Sequence, residues 1–450
     1  MTTWSKESLE GWGRYPRVDA KVATPSTRED AVAALRQADH ALTHGLGRSY
    51  GDAALLKGGH VLRTRKLDRV VSFDPETGWL HCEGGTSLAS IIEQFLPQGF
   101  FPPVVPGTQF VTVGGALACN IHGKNHHLDG CFADHVRAVE ILTGTGDIVV
   151  CDATQNERLF WATVGGLGLT GTILSLQLKL TPVPSQAIEL ETIRVENLEE
   201  FFTVSAQSAE FTHVVSWIDI VKSGPAMGRG VFMRGRHAEV APQTQGVSPM
   251  DKIVQIAGKL VNGKPFESNL WLNPLSMALF NEAFFRKEKR GMVASTVPIQ
   301  PFFFPLDAVK NWNYLYGKRG FLQYQMVVPT QEATREVLKA VSGSKQGSFL
   351  SVIKEFGPDR HGGLSFPQEG ITLAMDFPNT GRPLLKLMTR LDDIVAEAGG
   401  RVYLGKDARL SREHFRRMYP EWEAWKAVRD EWDPKGVFSS DLGKRLGLVS

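Results

Sequence analysis

At 450 residues the chain exceeds what one ordinary hydrophobic core supports, so two domains, or three, are expected. Its 42% hydrophobic and 22% charged content is that of a globular protein, and a net charge of +2, from 50 basic against 48 acidic residues, leaves no electrostatic footprint for nucleic acid. Cys82, Cys119, Cys131 and Cys151 form no Cys-x-x-Cys pair and read as free thiols, and neither a signal peptide nor a run of ~18 apolar residues is present, so the expected location is cytoplasmic or peripheral on a membrane.

Ser26 to Glu29 (STRE) reads as a capping box opening a helix with Val32 and Leu35 on one face. A short strand, Ala41–His44, then runs into a loop with glycines at 45, 47 and 51. Strand followed by glycine loop is the layout of a phosphate cradle, since loop N–H groups converge on an anion; a plain glycine turn fits equally well. Arg69–Phe73 and Trp79–Glu83 form an expected hairpin across Asp74 to Gly78. Ser87 is placed to cap a helix carrying Leu88, Ile91, Ile92 and Phe95.

The stretch from Pro102 to Asp134 organises what surrounds it. Small residues dominate between Val111 and Asn120, and His122, Lys124, His126 and His127 follow directly. Glycine at 114 and 115 allows something to approach the backbone closely. A flat anionic cofactor and a packed core strand ending in a polar loop both fit that pattern. Val136–Leu142 and Asp147–Cys151 read as a second hairpin, and the lack of clean βαβ alternation favours an α+β domain.

Gly166 to Gly171 spells GxGxxG, yet it follows a helical pattern, Glu157–Val164, and precedes a strand pattern, Thr172–Leu180. A nicotinamide-binding Rossmann motif needs the reverse context, so that reading is rejected. His122 and His126 stand i,i+4, but Gly123 occupies the place where HExxH needs glutamate, which argues against a zinc hydrolase. Gly47 to Gly51 matches GxSxG, but the helix and parallel sheet of a nucleophile elbow are missing. Redox chemistry on a bound cofactor is the leading class.

Thr181 to Ser185 breaks the pattern and marks a domain boundary. Ile188–Val195 and Val214–Val221 read as strands, Leu198–Phe202 opens a helix, and Arg236–Ser248 reads as a mobile polar loop. Asn269–Met292 is aromatic-rich and ends with Arg286, Lys287, Lys289 and Arg290; a lipid-facing surface is one reading, and a core helix with a solvated end is the favoured one. Gly320–Val328 sets Leu322, Tyr324 and Met326 on one face and Gln323 and Gln325 on the other. With Lys354 on a neighbouring strand the glutamines suit a polar pocket, although solvent-facing positions fit the periodicity better. Gly399–Lys406 reads as a strand with Lys406 on the surface, Ser411 caps a helix through Met418, and Trp422–Asp433 is helical.

Taken together, GLGRSYGD (45–52), PGT…VTVGGALACNIHGKNHH (106–127), FWATVGGLGLTG (160–171) and DPKGVF (433–438) resemble the flavin-dependent oxidoreductases of the vanillyl-alcohol oxidase superfamily. Within it the chain looks most like the decaprenylphosphoryl-β-D-ribose oxidases of arabinan precursor synthesis, a cell-wall pathway. GFLQYQ (320–325), SFL–V–K–FGP (348–358) and Y–GKD–R (403–409) extend the likeness over nearly the whole chain.

The resemblance implies a two-domain α+β fold. Residues 1–185 would bind FAD, 186–400 would form a substrate domain on an antiparallel sheet, and 401–450 would return to the FAD domain. Thr43, His44, Gly45, Leu46 and Gly47, with Arg48, Ser49, Tyr50, Gly51, Asp52 and Ala53, would carry the pyrophosphate. Gly107, Thr112, Val113, Gly114 and Gly115 would line the flavin together with Cys119, Asn120, Ile121 and His122. Ile173 would touch the cofactor by its backbone, and Tyr403 would face the ring system. Relatives that tether flavin place a histidine where this chain has Arg48, so FAD is expected to be non-covalent.

The reaction implied is oxidation of the 2′-hydroxyl of a polyprenylphosphoryl ribose to a ketone, with a short-chain ketoreductase partner completing epimerisation. Lys406 is the expected catalytic cation, with His122 or Lys124 nearby and the base open, while Tyr50, Trp217, Gln323, Gln325, Lys354 and Lys406 would hold the substrate. The mycobacterial members carry a pocket cysteine where this chain has Ala374. Two alternatives stand beside this reading: an alditol or aldonolactone oxidase, and a non-catalytic flavin or lipid-phosphate binder.

Overall fold

The computed structural model describes residues 3–240, 273–309, 311–344, 346–348, 350–358 and 361–449. Three sheets organise them. The first is four-stranded, in the order Ser5–Glu10, Arg17–Ala23, His60–Arg63, Ala41–His44, and its last pairings are parallel. The second is a five-stranded antiparallel sheet ordered Val70–Asp74, Trp79–Glu83, Thr172–Lys179, Val136–Leu142, Ile148–Asp152, so the two expected hairpins are joined through the strand at 172–179. The chain end packs back onto the first sheet: Ala41 bridges Phe438 in parallel, and its N–H donates to Val437 O at 2.7 Å.

The third sheet has eight strands, in the order Met292–Pro298, Ala187–Val195, Gly230–His237, His213–Ile218, Ser351–Phe356, Gly370–Pro378, Phe321–Val328, Arg401–Val402. Alternation decides its two faces. Leu322, Tyr324, Met326 and Val328, with Ile353, Leu373, Met375 and Phe377, pack on the helices Leu198–Ala206, Gln331–Gly343 and Arg382–Glu397. The intervening positions, among them Gln323, Gln325, Lys354, Thr372, Ala374 and Asp376, therefore point the other way, toward the first two sheets.

Several local expectations shift. Thr27, not Ser26, caps the first helix: its Oγ1 accepts the Asp30 N–H at 3.1 Å, and Arg28–Leu35 follows. The small-residue stretch is a helix, Val113–Ala118, opened by Thr112, whose Oγ1 accepts the Gly115 N–H at 3.1 Å. Glycine matters there because a Cβ at Gly114 would sit 2.9 Å from Gly84 O. The strand expected over 399–406 survives only as Arg401–Val402, and the chain then turns with the Lys406 N–H on Tyr403 O at 3.0 Å.

The aromatic segment forms the helix Pro274–Lys287, with Phe284 and Phe285 buried in the core and Arg286 paired with Glu282. That is the core-helix reading. Trp271 and residues 241–248 of the expected loop lie outside the described residues. No helix among the described residues is long and apolar enough to cross a membrane.

Candidate active site

The polar face of the large sheet and the glycine loops of the first two sheets enclose a cavity of about 610 Å³, within the ~300–1,000 Å³ of small-molecule and cofactor sites. Its far wall is built from the loops at 45–50, 105–112 and 167–171 and from the helix Val113–Ala118. Gly47 needs its φ of +65° to turn the loop, and Gly45 lies so near Thr112 that a Cβ would come within 2.5 Å of Thr112 Oγ1. A Cβ on Gly107 or Gly168 would meet no atom within 4 Å. It would enter the cavity. A floor of bare backbone flanked by apolar side chains fits a large flat cofactor with a phosphate tail. The GxGxxG stretch contributes through Leu167, Gly168 and Gly171, from its helix-to-strand context.

Of the expected cofactor positions, Thr43, Gly45, Leu46, Gly47, Arg48, Ser49, Tyr50 and Ala53 line this cavity. So do Gly107, Thr112, Gly114, Gly115, Cys119, Ile121, His122, Ile173 and Tyr403. Others do not reach it. His44 is buried, with Nδ1 on Gly45 O at 3.0 Å. Gly51 presses on the Asp407 backbone, where a Cβ would lie 1.8 Å from the carbonyl oxygen. Asp52 is held by Arg445, Val113 is core, and Asn120 donates to Ser365 Oγ at 2.8 Å. These five residues support the cradle from behind.

The opposite wall carries the chemistry. Gln323 and Gln325 face inward, which corrects the solvent-facing reading, and Lys406 lies inside rather than on the surface, its Nζ 3.7 Å above the Tyr50 ring. The turn after Val402 aims it there. Trp217 is a further correction. It follows Val215, which does line the cavity, by one pleat, but is fully buried with its ring edge-on to Phe284 at 4.7 Å.

Asp376 escaped the sequence reading. It pairs in register with Gln323, whose Nε2 donates to its Oδ1, and its Oδ2 has no hydrogen-bond partner among the described residues. The alternation of Thr372, Ala374 and Asp376 against three large apolar residues was the signal available. Burial pushes Asp376 up and Lys406 down, each toward neutrality, and the Asp376 charge partly restores the lysine. Phe302, Phe303 and Asp307 were missed as well; Asp307 Oδ2 accepts the Gln109 N–H at 2.9 Å and ties the turn Pro305–Ala308 to the loop at 105–112.

At one end of the cavity stand three further nitrogen-bearing side chains. His122 has Nε2 3.0 Å from Gln325 Nε2 and Nδ1 3.1 Å from Lys354 Nζ, with its ring against Phe356 at 4.7 Å. Burial, the largest cause, holds it well below the usual histidine range, so it is neutral. Lys354 also donates to Gly123 O; burial, then the Lys124 charge, lowers it to about 7. Lys124 donates to Phe303 O at 3.1 Å, and burial lowers it to about 8. Tyr403 closes this end, its hydroxyl donating to Cys119 O at 2.9 Å and its ring stacked on Phe366 at 4.6 Å. Among the described residues no group of three or more His, Cys, Asp or Glu side chains is placed to hold a metal ion.

Comparison with known proteins agrees with this architecture. A family profile described as an FAD binding domain matches residues 20–152, and one described as D-arabinono-1,4-lactone oxidase matches residues 371–446. The chain is 38% identical to the decaprenylphosphoryl-beta-D-ribose oxidase of Mycolicibacterium smegmatis, across 98% of this chain and 97% of that protein. An uncharacterised protein of Streptomyces coelicolor is 31% identical over 80% of this chain and 100% of its own length. The L-gulonolactone oxidase of Scyliorhinus torazame is 23% identical over 88% of this chain and 86% of its own. With the flavin-binding profile falling on the glycine-loop wall and the near-complete match spanning both walls of one cavity, the chain is an FAD-dependent oxidoreductase and belongs to the decaprenylphosphoryl-β-D-ribose oxidase family.

Proposed function

We propose that this protein oxidises the 2′-hydroxyl of a polyprenylphosphoryl-β-D-ribose to the 2′-keto sugar, the first half of an epimerisation to the arabinose lipid. The observation that carries this is the alignment with the Mycolicibacterium protein, which runs through both walls of the cavity. Bound FAD supplies the acceptor for the hydrogen and electron pair that leave the carbinol carbon. The chain's residues do the rest. The glycine loops hold the cofactor without covalent attachment, since Arg48 lies where tethering relatives carry histidine and its guanidinium is engaged with Leu46 O and the Trp12 ring. Lys406, over Tyr50, places positive charge at the centre of the site, and Gln323 and Gln325 offer amides to sugar hydroxyls. Apolar walls at Val215, Leu350 and Val352 exclude water and suit the start of a prenyl chain.

The resulting ketone calls for a ketoreductase partner. A peripheral membrane contact for lipid pickup would use the helix Pro274–Lys287, which exposes Leu275 and Leu279 in its first half and carries Arg286 and Lys287 at its end. A second reading, alditol or aldonolactone oxidation, draws on the D-arabinono-1,4-lactone oxidase profile over residues 371–446. The test is the anaerobic visible spectrum of the holoenzyme with each substrate class. Bleaching by polyprenylphosphoryl ribose is the expected result. Bleaching only by xylitol or an aldonolactone supports the second reading, and none at all points to a binding protein.

A further inference from the structure

A chain of hydrogen-bond polarity runs from the large sheet to Lys354. The Thr372 hydroxyl donates to Met326 O at 2.8 Å, so its proton is committed and its oxygen can only accept. Gln325 Nε2 lies 3.5 Å from that oxygen, which turns the NH2 end of the amide, not the carbonyl, toward Thr372. The same NH2 group is 3.0 Å from His122 Nε2. An amide nitrogen donates and does not accept, so Nε2 must present its lone pair. A neutral imidazole has one N–H, and here it is then on Nδ1. Nδ1 is 3.1 Å from Lys354 Nζ, and its proton needs an acceptor there. An ammonium has no lone pair; an amine has one.

We propose that Lys354 stands in the cavity as a neutral amine and is the base that takes the proton of the substrate hydroxyl. The surroundings support this on every side. Gly123 O accepts one of its N–H groups, Lys124 on the same segment repels a second positive charge, and the Phe356 ring lies 5.3 Å away on its own strand. Thr372 is its register partner on the next strand, and the Cys131 thiol is the group that acts in the opposite sense. Among the described residues no carboxylate is paired with it. Asp376 is engaged with Gln323 and acts on Lys406, which leaves Lys406 and Lys354 with different tasks.

This rests on the reaction proposed above. Bound FAD would be the acceptor for the hydrogen and electron pair of the C–H bond that breaks. The O–H bond breaks, its electron pair becomes the second C–O bond of the ketone, and Lys354 Nζ turns its one lone pair from the His122 Nδ1–H to the hydroxyl and takes the proton as a fourth bond. The new ammonium faces the His122 Nδ1–H, donor against donor, which favours passing the proton on after the ketone leaves. The His122 Nε2 lone pair is fixed in the ring plane on the Gln325 amide and cannot turn as a primary amine does, so His122 is a positioning residue.

The experiment is ¹³C NMR of the FAD-loaded protein carrying ε-¹³C-lysine, with the Lys354 signal assigned by its loss in Lys354→Met. A midpoint at about 7 is expected for wild type. Gln325→Glu, which offers His122 an acceptor in place of a donor, is expected to raise that midpoint by more than ~1 unit through the reversed tautomer and the added charge. Lys354→Met should retain FAD yet bleach with polyprenylphosphoryl ribose ~10²- to 10⁴-fold more slowly than wild type. In wild type the bleaching rate should rise with pH through the NMR midpoint. An ammonium signal persisting through about pH 10, or wild-type bleaching in Lys354→Met, overturns the assignment. A neutral Lys354 in a wild-type protein that the lipid fails to bleach would uphold the amine and refute the substrate instead.

Discussion

The closing segment rests on one buried carboxylate, and removing it should loosen the cofactor half of the molecule. Asp433 Oδ1 accepts the Val437 N–H at 2.8 Å, and Oδ2 accepts the Phe438 N–H at 2.7 Å and Arg429 Nη2 at 2.9 Å. Arg429 in turn donates to Leu169 O and Phe438 O, at 3.3 and 2.6 Å, so it clamps the chain end to the loop after Gly168. In Asp433→Ala two backbone donors and a buried guanidinium lose their acceptor. Breaking a buried ion pair from one side costs ~3–5 kcal/mol. Asp430, 2.8 Å from Arg429 Nη1, retains part of the compensation, which places the expected loss near the lower figure.

A loss of ~3 kcal/mol is a more than hundredfold change in the unfolding constant. With a urea m-value of about 3 kcal/mol/M, the midpoint should fall by about 1 M. Flavin fluorescence and far-UV circular dichroism should report the same shift, because Phe438 pairs with the strand that enters the Gly45 loop. Asp433→Asn, which keeps one acceptor and loses the charge, should fall between. A midpoint within ~0.3 M of wild type for Asp433→Ala would refute the clamp.

Acidification should destabilise the fold through buried histidines: His44 and His237 are each lowered to about 4, by burial, from the ordinary histidine value of 6.5. Between those values the unfolded chain binds protons that the folded chain refuses, so stability falls as pH drops from about 6.5 toward 4; His44→Asn with His237→Phe should flatten that slope between about pH 7.5 and about pH 5. Gly45→Ala sets a Cβ against Thr112 Oγ1 and is expected to lower the flavin-to-protein absorbance ratio after gel filtration; an unchanged ratio would remove Gly45 from the cradle. Cysteine-directed reagents should leave the wild-type cavity unlabelled in a mass spectrum, because burial raises the Cys119 thiol and position 374 is alanine, whereas Ala374→Cys, opposite Gln325, should add one label. Neutralising Arg286, Lys287, Lys289 and Arg290 together should reduce co-sedimentation with anionic vesicles, and equal binding by both proteins would end the membrane proposal.

Much of this molecule was legible without coordinates, because local signals carried it. Both hairpins of the second sheet, the Ser87 and Ser411 caps, and the helix-to-strand context that excluded a Rossmann site all depend on neighbours in sequence. The motif strings also sufficed to indicate an FAD-binding α+β oxidoreductase. Periodicity separated Gln323 and Gln325 from Leu322, Tyr324 and Met326, but a period of two assigns faces without saying what each face meets. Only the helices packed behind the sheet made the glutamine face an inner wall. Lys406 looked like a surface lysine because its burial comes from Tyr50, more than 350 positions earlier in the chain. Trp217 shares a strand face with Val215, and the Phe284 ring on a distant helix sealed it away from the cavity. Asp376 and the relay from Thr372 to Lys354 belong to the same class. Their properties arise from burial and from hydrogen-bond partners supplied by separate strands, and those exist only once the sheet is assembled.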